Sequence, residues 1–496
     1  MGSLRERLLH DNFAYASCKL VVLQMPQNSL SCSHPMRNKN PFRIQPVYLK
    51  DLKELIVMNK HFQFPLKQGI GASAVPSVVN GDDVVRGQLI AYQEKDKLGT
   101  PIYSSISGKV TKVTDIEIEI EADKDQKKEF IPLKEADPLE LIKQSGLVGL
   151  GGAGFPVYAK LAKPFSNAGT VIVNAAECEP ILSHNIDSIE KRPKDVIRGL
   201  EIEMEVTNAA EGVIAIKKKH TAAVAILKKT LEERQGGKPI RIHLLKDMYP
   251  MGEERAIVRE VLGQLLPVTS LPLEAGAIVS NVETVIRVHE AVDLKKPLID
   301  KDLTIAGKLK GNENLIQIFH DLPIGMSVAD AFAMAGGLAD SYGELIMGGP
   351  FTGKRTELSS PIIKTTGGLI AAECFPKGPE KIGLLVCACG ADEARMRQIA
   401  ESMGSEVVGV QFCKQAAEVK GTRKCENPGK CPGQAAKVLA LRKAGAQALL
   451  IGNCTDCSNT VMSCAPQLGL PVYHSTDCAL RAVNHRLVRR IHEHID

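Results

Sequence analysis

The chain is 496 residues long, which at about 100–200 residues per domain predicts three or four domains and excludes a single small module. Hydrophobic residues at 44% and charged residues at 24% exclude a disordered or fibrous chain. The 62 Lys and Arg against 57 Asp and Glu leave +5 over the whole length, and with 4% aromatic residues and no Trp there is no footprint of nucleic-acid binding.

Residues 1–57 read as an irregular arm, because Pro26, Asn28, Pro35, Asn38, Asn40 and Pro41 interrupt every apolar run. Met58, shortly after Lys53-Glu54, is the expected translation start, with a disordered arm as the alternative. Residues 58–136 read as short β segments around tight turns. Ser77-Val78-Val79 leads into Asn80-Gly81-Asp82, a hairpin signal, and Ile116 to Ile120 alternates with period two. The pattern resembles the barrel-sandwich hybrid fold of lipoyl and biotinyl domains. No lysine occupies a carrier hairpin, so a docking or packing module is expected.

Asp137-Pro138-Leu139-Glu140 combines an N-cap, a proline at the first helical position and an acidic first turn, and predicts a short helix ending at Gly146. Over 137–297, strands such as Val171 to Val173, Gly212 to Ile216 and Ile240 to Leu244 alternate with helical stretches such as His220 to Glu233, predicting a Rossmann-like α/β domain. Residues 298–373 predict a small β-grasp unit with one helix from Ser327 to Ala335, closed by Gly336-Gly337.

The cysteines are asymmetric: of thirteen, ten fall in the last 123 residues. From 381 to 496 the pattern is strand, cysteine loop, helix, with Cys387 and Cys389, Cys413, Cys454 and Cys457, and Cys478 each following a strand. In an open parallel sheet such residues gather on the carboxyl edge. There is no N-terminal apolar h-region and no apolar run near the roughly 18–20 residues of a membrane span. A cytoplasmic protein is therefore expected, or one peripheral at the inner face of the membrane, with thiols reduced, metal-bound or catalytic.

Gly149-Leu150-Gly151-Gly152-Ala153-Gly154-Phe155 has the G-x-G-x-x-G spacing that lets backbone amides approach a phosphate at a helix N-terminus. It follows a helix rather than a strand, so the ordinary dinucleotide context fails and a plain glycine-rich turn is the alternative. Cys454-Thr455-Asp456-Cys457 is a C-x-x-C at a strand-to-helix turn, where a thiol pKa is lowered. Cys425 and Cys431 could form a second pair, with Cys431-Pro432 opening a helix. Redox thiols are the leading expectation. The alternatives are an iron–sulfur cluster or zinc at Cys387, Cys389, Cys413, Cys454 and Cys457, because one C-x-x-C is neutral between these uses. His474 and His485 read as ordinary loop or surface histidines.

Four ordered motifs carry a resemblance: Gly149 to Lys160, Asn174 to Pro180, Tyr249 to Glu254, and Ser280 to Thr284. Over roughly residues 62–372 the chain resembles the NADH-binding flavoprotein subunit of respiratory complex I and the C subunit of the Rnf complex, with an SLBB-type β-grasp domain ending near Met347-Gly348-Gly349-Pro350. The resemblance implies FMN held by Gly149, Gly151, Gly152, Gly154, Phe155 and Lys160. Asn174, Glu177, Glu179, Tyr249, Gly252, Glu253, Glu254, Asn281 and Thr284 complete the site, with NADH stacking on the flavin. For Glu177 and Glu179 a solvated loop is the alternative. Two departures stand out: Ala176 replaces an acidic residue, and no ferredoxin-type cysteine run occurs.

A flavoprotein of this type with a cysteine-rich tail resembles the electron-transfer proteins that serve proline reductase in amino-acid-fermenting anaerobes, some of which carry selenocysteine in the tail. That resemblance implies an NADH-dependent oxidoreductase passing electrons through FMN to redox cysteines, with Cys454, Cys457, Cys425 and Cys431 as the catalytic thiols. The implied partner is D-proline reductase or a similar thiol or selenol reductase. The rival expectation is a non-enzymatic adaptor that holds zinc or a cluster and docks to an Rnf-like membrane complex.

Overall fold

The computed structural model describes residues 43–47, 60–152, 154–311 and 315–488. The expected start at Met58 lies outside them. The first described region is built from two small antiparallel sheets. One runs His61–Pro65, Glu117–Ala122, Gly108–Val113, Asp83–Val84; the other runs Val75–Pro76, Leu89–Tyr92, Ile102–Tyr103. The period-two alternation does what it predicts: Ile118 and Ile120 are fully buried beside Phe62 and Phe64, and the glutamates between them face outward. The Asn80-Gly81 turn corrects an expectation. Gly81 takes φ +94 and Asp82 caps the turn, but the strands on either side pair in different sheets, so the turn passes between sheets rather than closing a hairpin.

Next comes a four-stranded parallel sheet in the order Ile240–Leu245, Glu211–Lys217, Thr170–Ala175, Ala277–Asn281. Its strands are near-continuous apolar runs because helices cover both faces. The helix Pro138–Gln144 forms as its sequence predicts: the Asp137 side chain accepts from the Glu140 N–H, and Gly146 at φ +75 ends it. The helices Pro193–Thr207 and Val282–Asp293 cross at Gly199, where an added Cβ would lie 1.8 Å from the Val285 carbonyl oxygen.

A six-stranded mixed sheet follows, in the order Arg43–Val47, Leu315–Pro323, Asp300–Gly307, Gly368–Ala372, Glu344–Met347, Lys354–Arg355, with the helix Val328–Met334 capped by Ser327. Its core is continuous with that of the first region, through Phe319, Phe332 and Leu303. The strand Arg43–Val47 corrects the expectation of an irregular arm over those five residues: it pairs in parallel with Leu315 to Phe319 at the sheet edge. An edge position tolerates Pro46, whose ring removes one ladder donor.

Residues 381–488 carry a second four-stranded parallel sheet in the order Glu406–Phe412, Lys381–Val386, Ala448–Ile451, Val472–His474. Ile382, Leu384 and Val386 face the helix Glu393–Ser402, and Leu385 faces the helices Ala435–Lys443 and Thr455–Cys464, so the sheet is covered on both sides. The helix expected to open at Cys431-Pro432 begins instead at Ala435, after Gly433 at φ +89. Among the described residues no helix is long and apolar enough to cross a membrane.

Gly199→Ala is expected to lower stability by at least about 2 kcal/mol, because the new methyl must push two helices apart. A urea midpoint unchanged from the parent would refute the close crossing.

Candidate functional site

In a parallel sheet ordered 3-2-1-4 the chain leaves strands 1 and 4 in opposite directions, opening a crevice at their carboxyl ends. Here those are Thr170–Ala175 and Ala277–Asn281, and a cavity of about 510 Å3 lies there. Asn174 and Glu177 reach it from the first strand, and Asn281 and Thr284 from the second. The glycine loop forms the facing wall. The Gly149 N–H donates to the Phe155 carbonyl at 2.8 Å, the Gly154 N–H donates to the Gly149 carbonyl at 3.0 Å, and the Leu150 N–H donates to the Thr284 hydroxyl at 3.0 Å.

Gly149, Gly151 and Gly152 line the cavity, whereas Gly154 and Phe155 close the loop behind it. A Cβ on Gly151 would come within 3.3 Å of the Asn281 side chain, and Gly152 holds φ +99, so both positions need glycine. The helix after the loop, Val157–Leu161, has only five residues, so the loop amides and the Lys160 ammonium take the anion-binding role expected of a helix N-terminus. Lys160 Nζ donates to the Val279 carbonyl at 2.8 Å and pairs with Glu254 at 3.2 Å.

The acidic residues divide. Glu177, at φ +36, accepts from the Asn185 N–H at 2.9 Å and lines the cavity. Glu179 also lines it, but both its oxygens are engaged by the Phe351 N–H at 2.8 Å and the Thr352 N–H and hydroxyl at 3.0 and 2.6 Å. Burial pushes its carboxyl up, against those three hydrogen bonds. Glu253 caps the helix Glu254–Leu262 by accepting from the Ala256 N–H at 2.9 Å, and Asn174 Nδ2 donates to the Gly252 carbonyl at 2.8 Å. Gly252 is required, since a Cβ would lie 2.8 Å from Cys178 Sγ. Burial also pushes the Cys178 thiol up to about 12. Ala176 is fully buried with Ile172 and Met251 and is not on the wall.

A second cavity of about 370 Å3 shares Gly151, Glu179, Gly252, Glu253 and Glu254 with the first. Its other walls are Tyr249, Arg255, Arg423, Lys424 and two cysteines, Cys389 and Cys425. Tyr249 stacks on Phe351 with centroids 3.6 Å apart and donates its hydroxyl to the Cys389 carbonyl. Phe351 in turn meets the His474 ring edge-on at 5.4 Å. His474 corrects an expectation: it is fully buried at the end of its strand, its ring held by the Asn453 carbonyl and Thr476. His485 is half-buried beside the Arg486 carbonyl.

The cysteines do gather on the carboxyl edge of the second parallel sheet. The sulfurs of Cys387, Cys413 and Cys457, all buried, lie within 4.8 Å of one another. Cys387 also touches Cys389, and Cys457 touches Cys454 and Cys431. Cys425 lies with Cys389, and Cys431 with Cys457. Contact with Cys457, together with Thr460 and the Gly433 amide, brings the Cys431 thiol down to about 6 against burial. Contact with three cysteines likewise holds Cys387 well below the usual thiol range and pushes Cys457 up. Cys478 is buried among Asp477, Glu344 and Arg481, and burial raises it. All eleven described cysteines are free thiols. Three mutually close, buried sulfurs suit a thiolate-bound metal or an iron–sulfur cluster.

Several residues at this site carry no sequence signal. Gln434 Nε2 reaches Cys413, Cys457 and Cys431 at 3.2, 3.5 and 3.6 Å. Asn185 bridges Glu177 and the Glu283 N–H, and Arg255 donates to the Cys425 carbonyl. Each is a lone polar residue whose partner is distant in sequence.

The loop, the crevice and its polar walls define a flavin-domain oxidoreductase subunit. Residues 142–290 match the Nuo51 FMN-binding domain, and residues 34–129 match the RnfC barrel sandwich hybrid domain. The chain is 32% identical over 357 residues to the RnfC-type component of the proton-translocating ferredoxin:NAD(+) oxidoreductase complex of Clostridium ljungdahlii, covering 68% of this chain and 75% of that one. It is 28% identical to the corresponding component of the Na(+)-translocating complex of Acetobacterium woodii, over 70% of this chain and 79% of the relative. The chain belongs to this family, the RnfC family. The cobalamin reductase PduS of Citrobacter freundii is 37% identical over 232 residues, which span 47% of this chain and 49% of that protein.

The site is anchored to the six-stranded sheet by His320, which pairs with Asp187 at 2.7 Å and Asp302 at 3.1 Å. Burial disfavours its proton, but the two carboxylates outweigh burial and raise its pKa to about 9. A raised folded-state value stabilises the fold fully below the unfolded pKa of about 6.5, and that contribution is lost as pH climbs through about 9. Stability is expected to fall by about 2–3 kcal/mol between pH 6.5 and 9.5, with His320→Gln removing that slope in urea titrations.

Proposed function

We propose that this chain is an electron-transfer flavoprotein that takes electrons from NADH at FMN in the 510 Å3 cavity and passes them through the C-terminal cysteines to a reductase partner. One observation carries the reading: the cavity built by the glycine loop, Lys160, Asn174 and Asn281 opens along a shared wall into a second cavity lined by Cys389 and Cys425. Bound FMN supplies the conversion of a two-electron hydride donor into electrons for an acceptor. The loop amides of Gly151 and Gly152 and the Lys160 ammonium hold its phosphate, and Asn174, Glu177 and Asn281 supply polar contacts. Glu179 and Tyr249 act one layer out, positioning the Phe351 turn.

On this reading residues 298–373 are the β-grasp (SLBB) unit and 381–496 the redox unit, with Cys454, Cys457, Cys425 and Cys431 among its working thiols. The partner is D-proline reductase or another reductase with an active-site thiol or selenol, reached by thiol–disulfide exchange. An Rnf-like complex at the membrane surface is the second partner, favoured by the ferredoxin:NAD(+) oxidoreductase relatives. The close sulfurs of Cys387, Cys413 and Cys457 favour a variant in which a cluster carries the electrons.

Anaerobic addition of NADH to FMN-loaded protein is expected to bleach the flavin band; a colourless protein that takes up no FMN sinks the reading. Lys160→Ala is expected to weaken FMN binding about 10–100-fold in fluorescence titration, the equivalent of one charged hydrogen bond. For the cluster variant, Cys413→Ser is expected to cut bound iron by at least about half, measured by elemental analysis against the parent. A parent without iron removes that variant.

A further inference from the structure

At least seven thiols crowd the carboxyl edge of the second parallel sheet, yet two of them, Cys389 and Cys425, stand on the wall of the cavity that adjoins the flavin site. Cys387, Cys413, Cys454 and Cys457 are not on that wall and are at most 4% exposed, against 8% for Cys389 and 7% for Cys425. The side chains of Cys389 and Cys425 are in hydrogen-bonding contact with each other. Both backbones are pinned from the segment that walls the flavin cavity. Tyr249 donates its hydroxyl to the Cys389 carbonyl, and Arg255, itself 5% exposed, donates to the Cys425 carbonyl.

We propose that Cys389 and Cys425 form a reversible disulfide that is the electron-entry site of the C-terminal region. This rests on the flavoprotein reading above and replaces the C-x-x-C pair as the first acceptor. Sulfurs already in contact need only small side-chain rotations to reach the ~2.05 Å of a disulfide. Reduction breaks the Sγ–Sγ bond, takes up two electrons and two protons and leaves two thiols. The donor is a two-electron carrier of the reduced-flavin class in the adjoining cavity. Onward transfer has a physical path: Cys389 touches Cys387, Cys387 touches Cys457, and Cys457 touches Cys431, which is half-buried rather than buried. A thiolate attacking the next disulfide forms one S–S bond as another breaks, so the electron pair moves outward without a free radical.

The test uses full-length protein oxidised anaerobically with limiting diamide, which is reduced to its hydrazine as two thiols join. The protein is then alkylated in denaturant and mapped by mass spectrometry. The expected first product is a Cys389–Cys425 cross-linked peptide that dithiothreitol reverses and that NADH reverses in the FMN-loaded protein. In C425S, Cys389 is expected to stay alkylatable at the same oxidant level. A first bridge between Cys454 and Cys457, with Cys389 and Cys425 both alkylated, overturns the proposal. So does iron in the purified protein that drops by half or more in both C389S and C425S, since the two would then be cluster ligands. A protein that forms the bridge yet takes up no FMN keeps the disulfide and refutes the flavoprotein reading instead.

Discussion

Arg287 is the constraint on which the flavin-side architecture depends. It is 3% exposed, and its guanidinium meets Glu290, Asp302 and Asp321 at 2.8 Å each. Each buried ion costs several kcal/mol to desolvate, so the arrangement persists only where every charge finds its partner. Glu283 and Lys301, equally buried, form a second pair between the same two elements. Together they set the helix Val282–Asp293 against the strand Asp300–Gly307. The start of that helix carries Asn281 and Thr284 into the cavity, and Thr284 in turn holds the Leu150 N–H of the glycine loop. The position of the loop is therefore fixed by charges that never touch a ligand.

From that fixed cavity the segment 249–255 carries order onward to the cysteines. Its glycine lets the chain pass Cys178, its glutamate caps the helix Glu254–Leu262, and its tyrosine and arginine hold two cysteine carbonyls. The Tyr249 ring has a flat partner in Phe351, and Phe351 is held at its backbone by Glu179. Glu179 thus contributes to the site by organising the turn between two sheets. Its carboxylate is consumed by three donors, which is why a motif position that reads as a ligand in sequence turns out to be a support.

Much of this was legible in the residues. The parallel strands show as apolar runs because both faces are covered, the caps Asp137 and Ser327 announce their helices, and cysteines placed just after strands must share the carboxyl edge. What stayed hidden depends on long-range placement. Arg43–Val47 is too short and too polar to show a strand period, and it becomes a strand only because Leu315–Pro323 offers an open edge. His474 looks like a loop residue until the fourth strand of the sheet extends to include it. The partners of individual sulfurs are invisible as well: Cys425 and Cys431 are neighbours in sequence, yet one lies with Cys389 and the other with Cys457.

The sulfur network also has a direction. At its inner end Cys389 and Cys425 face a wall that carries Arg255, Arg423 and Lys424, and Arg423 is steadied over the Phe412 ring at 3.8 Å. At its outer end Cys431 is half-buried, with its thiol brought down to about 6, and its N–H donates to Asp456 at 2.6 Å. Between them Cys387 is held low by three sulfur contacts, and Cys457 is pushed up by four. Neighbouring buried thiols cannot all ionise, so one negative charge is shared along the row while the rest stay protonated. Cations at the inner wall compensate negative charge there, and solvent does so at the outer end. A two-electron change at either end therefore need not strand an uncompensated charge in the middle of the protein.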